Sequence, residues 1–199
     1  MLKNDFAIIG LVSKGGGGKD ACSKYLAEKY GGREIVMSSF ISDALDMLRI
    51  YPDRVSVSWF IRTIRKRFGK GILARAVIAK IEKNKFSLYI INGIRIIREV
   101  ELLREKLGKN FILVDIACSD KTRFRRIKIR QRISGAKKDN VKVSLEKFLK
   151  WERRIGNEKE IPLIEKKADY TIENNGTKKE LFEKLDKFIL KKIQNLKLK

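Results

Sequence analysis

Histidine is absent from this 199-residue chain. That excludes histidine general bases, Ser-His-Asp triads and His-ligated zinc. Cysteine is scarce, with only Cys22 and Cys118. A secreted disulfide scaffold of this length needs more, and a cysteine zinc site needs closer clusters. A reducing, cytoplasmic setting is therefore expected. Proline occurs only at Pro52 and Pro162, and there is no internal repeat or linker-like stretch. Long hydrophobic runs are missing too. The apolar run Phe6 to Val12 is too short for a membrane span, and glycines rather than a cleavage site follow it. Acidic residues are outnumbered: 24 against 47 Lys and Arg, a formal net charge of +23.

What is present suffices for folding. Hydrophobic residues make up 43%, enough for one domain around one substantial core. The positive charge predicts attraction to polyanions: nucleic acid, anionic lipid or small phosphorylated substrates. Lysine is spread along the chain, so part of the excess only coats helices. One stretch is denser. Lys121 to Lys138 carries nine basic residues and no acidic one, and it repels itself unless an anion lies nearby.

Short apolar, β-branched runs alternate with longer amphipathic ones. Strands are expected at 6–12, 34–38, 87–92, 111–117 and 170–173, and helices at 20–30, 40–50, 55–68, 72–83, 96–107, 122–132, from 144, and 177–195. In the helix at 55–68, Val55, Trp59, Phe60 and Ile64 read as one buried face. This alternation predicts an α/β fold with a five-stranded parallel sheet and helices on both faces, in three layers. Ligands of such sheets bind beyond the carboxyl ends of the strands.

After the first strand comes Ser13-Lys14-Gly15-Gly16-Gly17-Gly18-Lys19-Asp20. It approaches the phosphate-loop pattern of Gly, four residues, Gly-Lys and Ser/Thr. Wrapping a phosphate in backbone N–H groups requires glycines, and the following helix N-terminus adds partial positive charge. Lys19 then meets the terminal phosphates. Ser13 replaces the first Gly, and Asp20 replaces the residue that usually touches Mg²⁺. Asp20 reads either as a Mg²⁺-facing carboxylate or as a helix cap.

Further motifs follow in order: Asn92-Gly93-Ile94-Arg95 with Glu99, then Arg123-Phe124-Arg125-Arg126 with Arg130, then Ala168-Asp169-Tyr170-Thr171-Ile172 with Asn174-Asn175-Gly176-Thr177. Together with the loop, they resemble the P-loop nucleoside-monophosphate kinase superfamily, in its deoxynucleoside monophosphate kinase and dephospho-CoA kinase-like branch. Asn92 departs from the Asp usual there. The resemblance implies core segments 1–38, 86–120 and 168–199, acceptor-binding helices at 39–85 and a lid at 121–167. It implies ATP and Mg²⁺ as cofactors. Lys14, Gly15, Gly16, Gly17 and Gly18, with the amides of Lys19, Asp20 and Ala21, would cradle the phosphates. Asp20 and Asn92 would hold the metal.

By the same resemblance, Arg126 and Arg130 would meet adenine and the moving phosphate. Arg153 or Arg154 would return from the far side of a hinge around Gly135. Asn174, Gly176 and Thr177 would back the adenine. Ser38, Asp43, Arg65 and Arg95 would face the acceptor. Cys22, Tyr25, Trp59 and Phe60 read as core, with Trp59 the one placed to meet a base. The implied activity moves the ATP γ-phosphate to a nucleoside or deoxynucleoside monophosphate. Dephospho-CoA as acceptor, a nucleotide-binding regulator and a basic nucleic-acid-binding protein are the alternatives.

Overall fold

The computed structural model describes residues 6–83, 86–134, 144–154 and 160–193. Five strands form the sheet: β1 Ala7–Val12, β2 Arg33–Val36, β3 Leu88–Asn92, β4 Phe111–Ala117 and β5 Tyr170–Glu173. Their spatial order is β2-β3-β1-β4-β5, and every pairing is parallel. All six residues of β1 are buried, as befits a central strand covered on both faces.

Side chains alternate between two apolar layers. Ile8, Val12, Tyr89, Ile91 and Leu113 face one. It is roofed by α2 Ser39–Met47, α3 Arg54–Phe68, α4 Ile72–Glu82, α5 Ile97–Leu107 and the short α8 Ile161–Glu165. Ile9, Leu11, Leu88, Ile90 and Val114 face the other, under α1 Lys19–Tyr30 and α9 Lys178–Lys192. Two more helices, α6 Asp120–Ser134 and α7 Leu145–Arg154, follow β4. The expected three-layer α/β architecture is present.

Helix ends follow from local chemistry. Asp53 accepts the Ser56 N–H at 2.7 Å to start α3. Thr177 and Glu180 form a reciprocal capping box at α9. Each such cap is worth about 1 kcal/mol. The expected face of α3 is corrected. Val55 is 75% and Trp59 55% exposed, while Val57, Phe60, Ile61 and Ile64 pack inward. Positions 57, 60, 61 and 64 share one side of a 3.6-residue helix, and 55 and 59 lie off that stripe. Trp59 is therefore not core.

The layer of α1 and α9 is closed by a polar tie. Asp186 accepts hydrogen bonds from Tyr25 at 2.8 Å, Tyr30 at 2.7 Å and Lys29 at 2.7 Å. Tyr25 also stacks on Phe182 with centroids 3.8 Å apart. Burial acts to raise the Asp186 pKa, but the hydrogen bonds from Lys29, Tyr30 and Tyr25 prevail and hold it below the usual range. The unfolded chain therefore binds more protons between the two pKa values. The stabilisation is complete above the unfolded carboxylate pKa and is lost as pH falls through the folded one. Asp186→Asn is expected to cost about 1–3 kcal/mol near neutrality. The gap should close towards pH ~2. Denaturant unfolding of both proteins at the two pH values checks this, and a gap that persists in acid contradicts it.

Candidate active site

The glycine loop leaves the carboxyl end of β1 and enters α1. Its shape is set from several sides. Ser13 Oγ donates to the Ile116 carbonyl at 2.9 Å, tying the loop to β4. The Gly17 N–H closes a turn onto the Lys14 carbonyl at 3.0 Å. Asn174, 4% exposed, donates its amide to the Gly17 carbonyl at 2.7 Å. Arg123 donates to the Gly15 carbonyl at 2.7 Å. Gly18 sits at φ 104°, where L side chains are strained, and a Cβ there would collide with Asn174. A Cβ on Gly17 would strike Ser13 Oγ. Gly16, Gly17 and Gly18 are thus required by the loop's path.

The first N–H groups of α1 have no acceptor within the helix. Together with the helix dipole they offer an anion site. The Ala21 amide, expected in that cradle, instead donates to the Gly18 carbonyl at 3.1 Å. It lies one residue too deep in the helix. Lys19 and Asp20 form a hydrogen-bonded ion pair at 2.5 Å. Asp20 does not cap α1. Gly18 holds the N-cap position, and the carboxylate turns to Lys19 and Asn92.

Asn92 ends β3 and is 4% exposed. Its amide donates to Asp20 at 3.1 Å and to Glu34 at 3.2 Å. Its carbonyl oxygen is buried without a partner. Burial pushes the Asp20 pKa up, but the Lys19 charge, the hydrogen bonds from Lys19 and Asn92, and the Arg130 charge together bring it below the usual range. The sequence places Asp20 and Asn92 together only through the resemblance. The structure brings them into contact and adds Glu34, which no motif marks. An orphaned carbonyl beside two carboxylates suits a hard divalent cation such as Mg²⁺.

The expected arginines divide by environment. Arg126 donates to the Asn174 carbonyl at 3.0 Å, to Asn174 Oδ1 at 3.2 Å and to the Gly176 carbonyl at 3.0 Å. It therefore shapes the loop between β5 and α9. Thr177 caps α9 just beyond. Arg130, one turn further along α6, is exposed and near enough to Asp20 to favour its charge. Arg123, given no role of its own in the sequence reading, is 1% exposed. It holds Glu152 through both oxygens at 2.8 Å and Asp120 at 2.6 Å. Asp120 and Glu152 thus answer one of the nine basic residues of the dense stretch. A sequence signal existed in Asp120 three residues before Arg123, one helical turn away. Arg153 and Arg154 lie in α7, but their side chains fall outside the described residues, as do Gly135 and the rest of 135–143.

On the other flank, Arg65 of α3 pairs with Glu99 at 2.8 Å. The other Glu99 oxygen accepts the Arg95 N–H at 3.0 Å and the Ile96 N–H at 3.3 Å. Glu99 is fully buried. Burial raises its pKa despite the Arg95 amide and the Arg65 charge. Arg95 is half-buried beyond β3, whereas Ser38 and Asp43 at the start of α2 are exposed. Cys22 and Tyr25 belong to α1, and burial pushes the Cys22 thiol up to about 12.

With this geometry the chain can be compared with known proteins. No family model matches it. It is 31% identical over 141 residues to a UPF0200/UPF0201 protein of Archaeoglobus fulgidus, covering 69% of this chain and 41% of that one. It is 32% identical over 125 residues to a UPF0200 protein of Methanosarcina mazei, covering 63% and 66%. The chain thus spans less than two thirds of these relatives' length. Among solved structures, it is similar to shikimate kinase from Acinetobacter baumannii in complex with shikimate. The TM-score is 0.58, at 20% identity over 98% of this chain and 96% of that one. The fold is that of a P-loop kinase. A gluconokinase from Sinorhizobium meliloti is also similar, with a TM-score of 0.51 at 12% identity over 98% and 97%. In this P-loop kinase fold the glycine loop, Lys19, Asn92 and the β5–α9 loop all lie at the carboxyl ends of the strands. Among the described residues no helix is long and apolar enough to cross a membrane.

Proposed function

We propose that the protein is an ATP- and Mg²⁺-dependent phosphotransferase acting on a small acceptor that already bears a phosphate. A nucleoside or deoxynucleoside monophosphate is the first choice, and dephospho-CoA the alternative. The observation that carries the reading is the glycine loop, held open by Ser13, Arg123 and Asn174 with Lys19 at its helical end. Phosphoryl transfer needs positioning and charge neutralisation more than a strong base. A chain without histidine can supply both.

In this reading the N–H groups of Gly15, Gly16, Gly18, Lys19 and Asp20 bind the donor phosphates, with the Gly17 N–H bracing the turn and Lys14 at the rim. Lys19 leaves Asp20 for the phosphates and follows the charge as it moves to the acceptor. Asp20, Asn92 and Glu34 hold Mg²⁺, which neutralises phosphate charge when bound. Arg126, Asn174, Gly176 and Thr177 shape the seat for the adenine. Arg130 and Arg154 belong to a lid over the donor. Arg95 binds the acceptor phosphate, and the Arg65–Glu99 pair fixes the turn that presents it. Ser38 and Asp43 flank that space, with α2 to α4 as its wall.

Two neighbours of this fold are a shikimate kinase and a gluconokinase, and both acceptors named there are carboxylates. Arg95 suits any anionic acceptor, and a phosphate offers it more charge than a carboxylate does. A coupled ADP-release screen across nucleoside and deoxynucleoside monophosphates, dephospho-CoA, shikimate and gluconate tests this. Mg²⁺-dependent turnover with a phosphorylated acceptor is expected. Turnover with shikimate or gluconate alone would overturn the acceptor class. No turnover with any would overturn the reaction.

A further inference from the structure

A second hollow lies behind the glycine loop, away from the helix N-terminus. It has a volume of about 120 Å³ and is lined by Ser13, Lys14, Asp115, Cys118, Arg123 and Glu165, with the backbone of β4. Asp115 is a lone carboxylate on an otherwise apolar strand. It is 6% exposed, and its Oδ1 is buried with no hydrogen-bond partner. A buried, unpaired carboxylate oxygen is costly unless something positive meets it.

The side chains around it do not meet that need. Arg123 lines the hollow, but its two Nη groups are committed to Glu152, Asp120 and the Gly15 carbonyl, and its Nε is buried without a partner and so does not bond Asp115. Lys14, at the more open rim, lies 4.0 Å from Glu165. Among the described residues, four carboxylates, Asp115, Asp120, Glu152 and Glu165, gather near the two cations Lys14 and Arg123. Burial and the Glu165 charge push the Asp115 pKa up to about 6, and burial raises Glu165 as well. Both shifts are led by burial, and the Lys14 charge opposes each without reversing it.

We propose that this hollow binds one monovalent cation, an alkali-metal ion or ammonium, with Asp115 as its anionic ligand and Glu165 and Ser13 Oγ as supporting oxygens. Ser13 and Lys14 belong to both the hollow and the glycine loop. The bound cation therefore stiffens the loop from behind.

The test needs neither ATP nor an acceptor, so its failure leaves the phosphotransferase reading intact. Thermal unfolding of the full chain is followed at pH ~8, where Asp115 is ionised. Potassium, sodium, ammonium and N-methylglucamine chlorides are compared at constant ionic strength. A saturable rise of about 3 °C is expected with a small cation over N-methylglucamine. It should be lost in Asp115→Asn and weakened in Glu165→Gln. Sodium-23 line broadening by the wild-type protein, reversed by potassium or ammonium, reads binding directly if Asp115→Asn fails to fold. Equal midpoints in all four salts without line broadening overturn the site. So does an undiminished response in Asp115→Asn. Stabilisation by acid alone, without a cation response, makes a proton the occupant and also overturns it.

Discussion

Lys19→Met is expected to lower ATP-dependent turnover by a factor of about 10³ or more while leaving the fold in place. The lysine sits where α1 begins, its side chain 18% exposed and paired with Asp20. It contributes nothing to either apolar layer, so its removal should cost little stability. The loss falls on the site in two ways. The migrating phosphate loses its counter-charge. Asp20 loses the partner that does most to keep its pKa low, and it then stands unneutralised beside the donor phosphates. ATP binding should therefore weaken along with the rate. Adding Asp20→Asn to Lys19→Met should restore part of the binding but none of the rate, a non-additivity expected of groups in direct contact. Steady-state kinetics and a titration with ATP separate the two effects. Near-normal turnover by Lys19→Met would remove the basis of the phosphotransferase reading.

Arg123→Met is expected to destabilise the protein by about 3 kcal/mol, because it leaves Glu152, its side chain only 14% exposed, without its partner. Arg123 is buried between Asp120 and Glu152 and also holds the Gly15 carbonyl. Methionine fills much of the volume but offers no donor. Glu152 keeps its charge in a half-buried position, and Gly15 loses one brace. Arg123→Lys should fall between, since an ammonium cannot span three acceptors with the geometry of a guanidinium. Arg125, two residues along the same helix and exposed, serves as the control. Arg125→Ala should change stability by less than about 0.5 kcal/mol. Denaturant midpoints for the three variants decide the matter. A loss below about 1 kcal/mol in Arg123→Met would mean that the ion-pair cluster is not structural.

Much of the architecture was legible because it rests on local patterns. Five short apolar runs became five strands, and the glycines after β1 announced the loop. The loop's path is written into residues whose alternatives would collide, such as Gly17 against Ser13. What the sequence hid depends on register and on distant contacts. The face of α3 was misjudged because Val55 and Trp59 are apolar without being inward. The basic stretch looked like one surface, yet it sends Arg123 into a buried cluster and Arg126 across to Asn174. Glu34 reaches Asn92 only because β2 lies beside β3 in the sheet. Asp115 carried a signal of its own, a carboxylate within a buried strand. The hollow it faces is formed with residues from distant parts of the chain.

The bonds that shape the glycine loop come from far downstream: 103 residues away at Ile116, 108 at Arg123 and 157 at Asn174. Such closures are entropically slow, and a growing chain emerges from its amino end first. A nascent chain therefore displays its glycines long before their braces exist. On the proposed reading, the loop's anion-binding shape should arrive late and abruptly in synthesis, once Asn174 has cleared the ribosome.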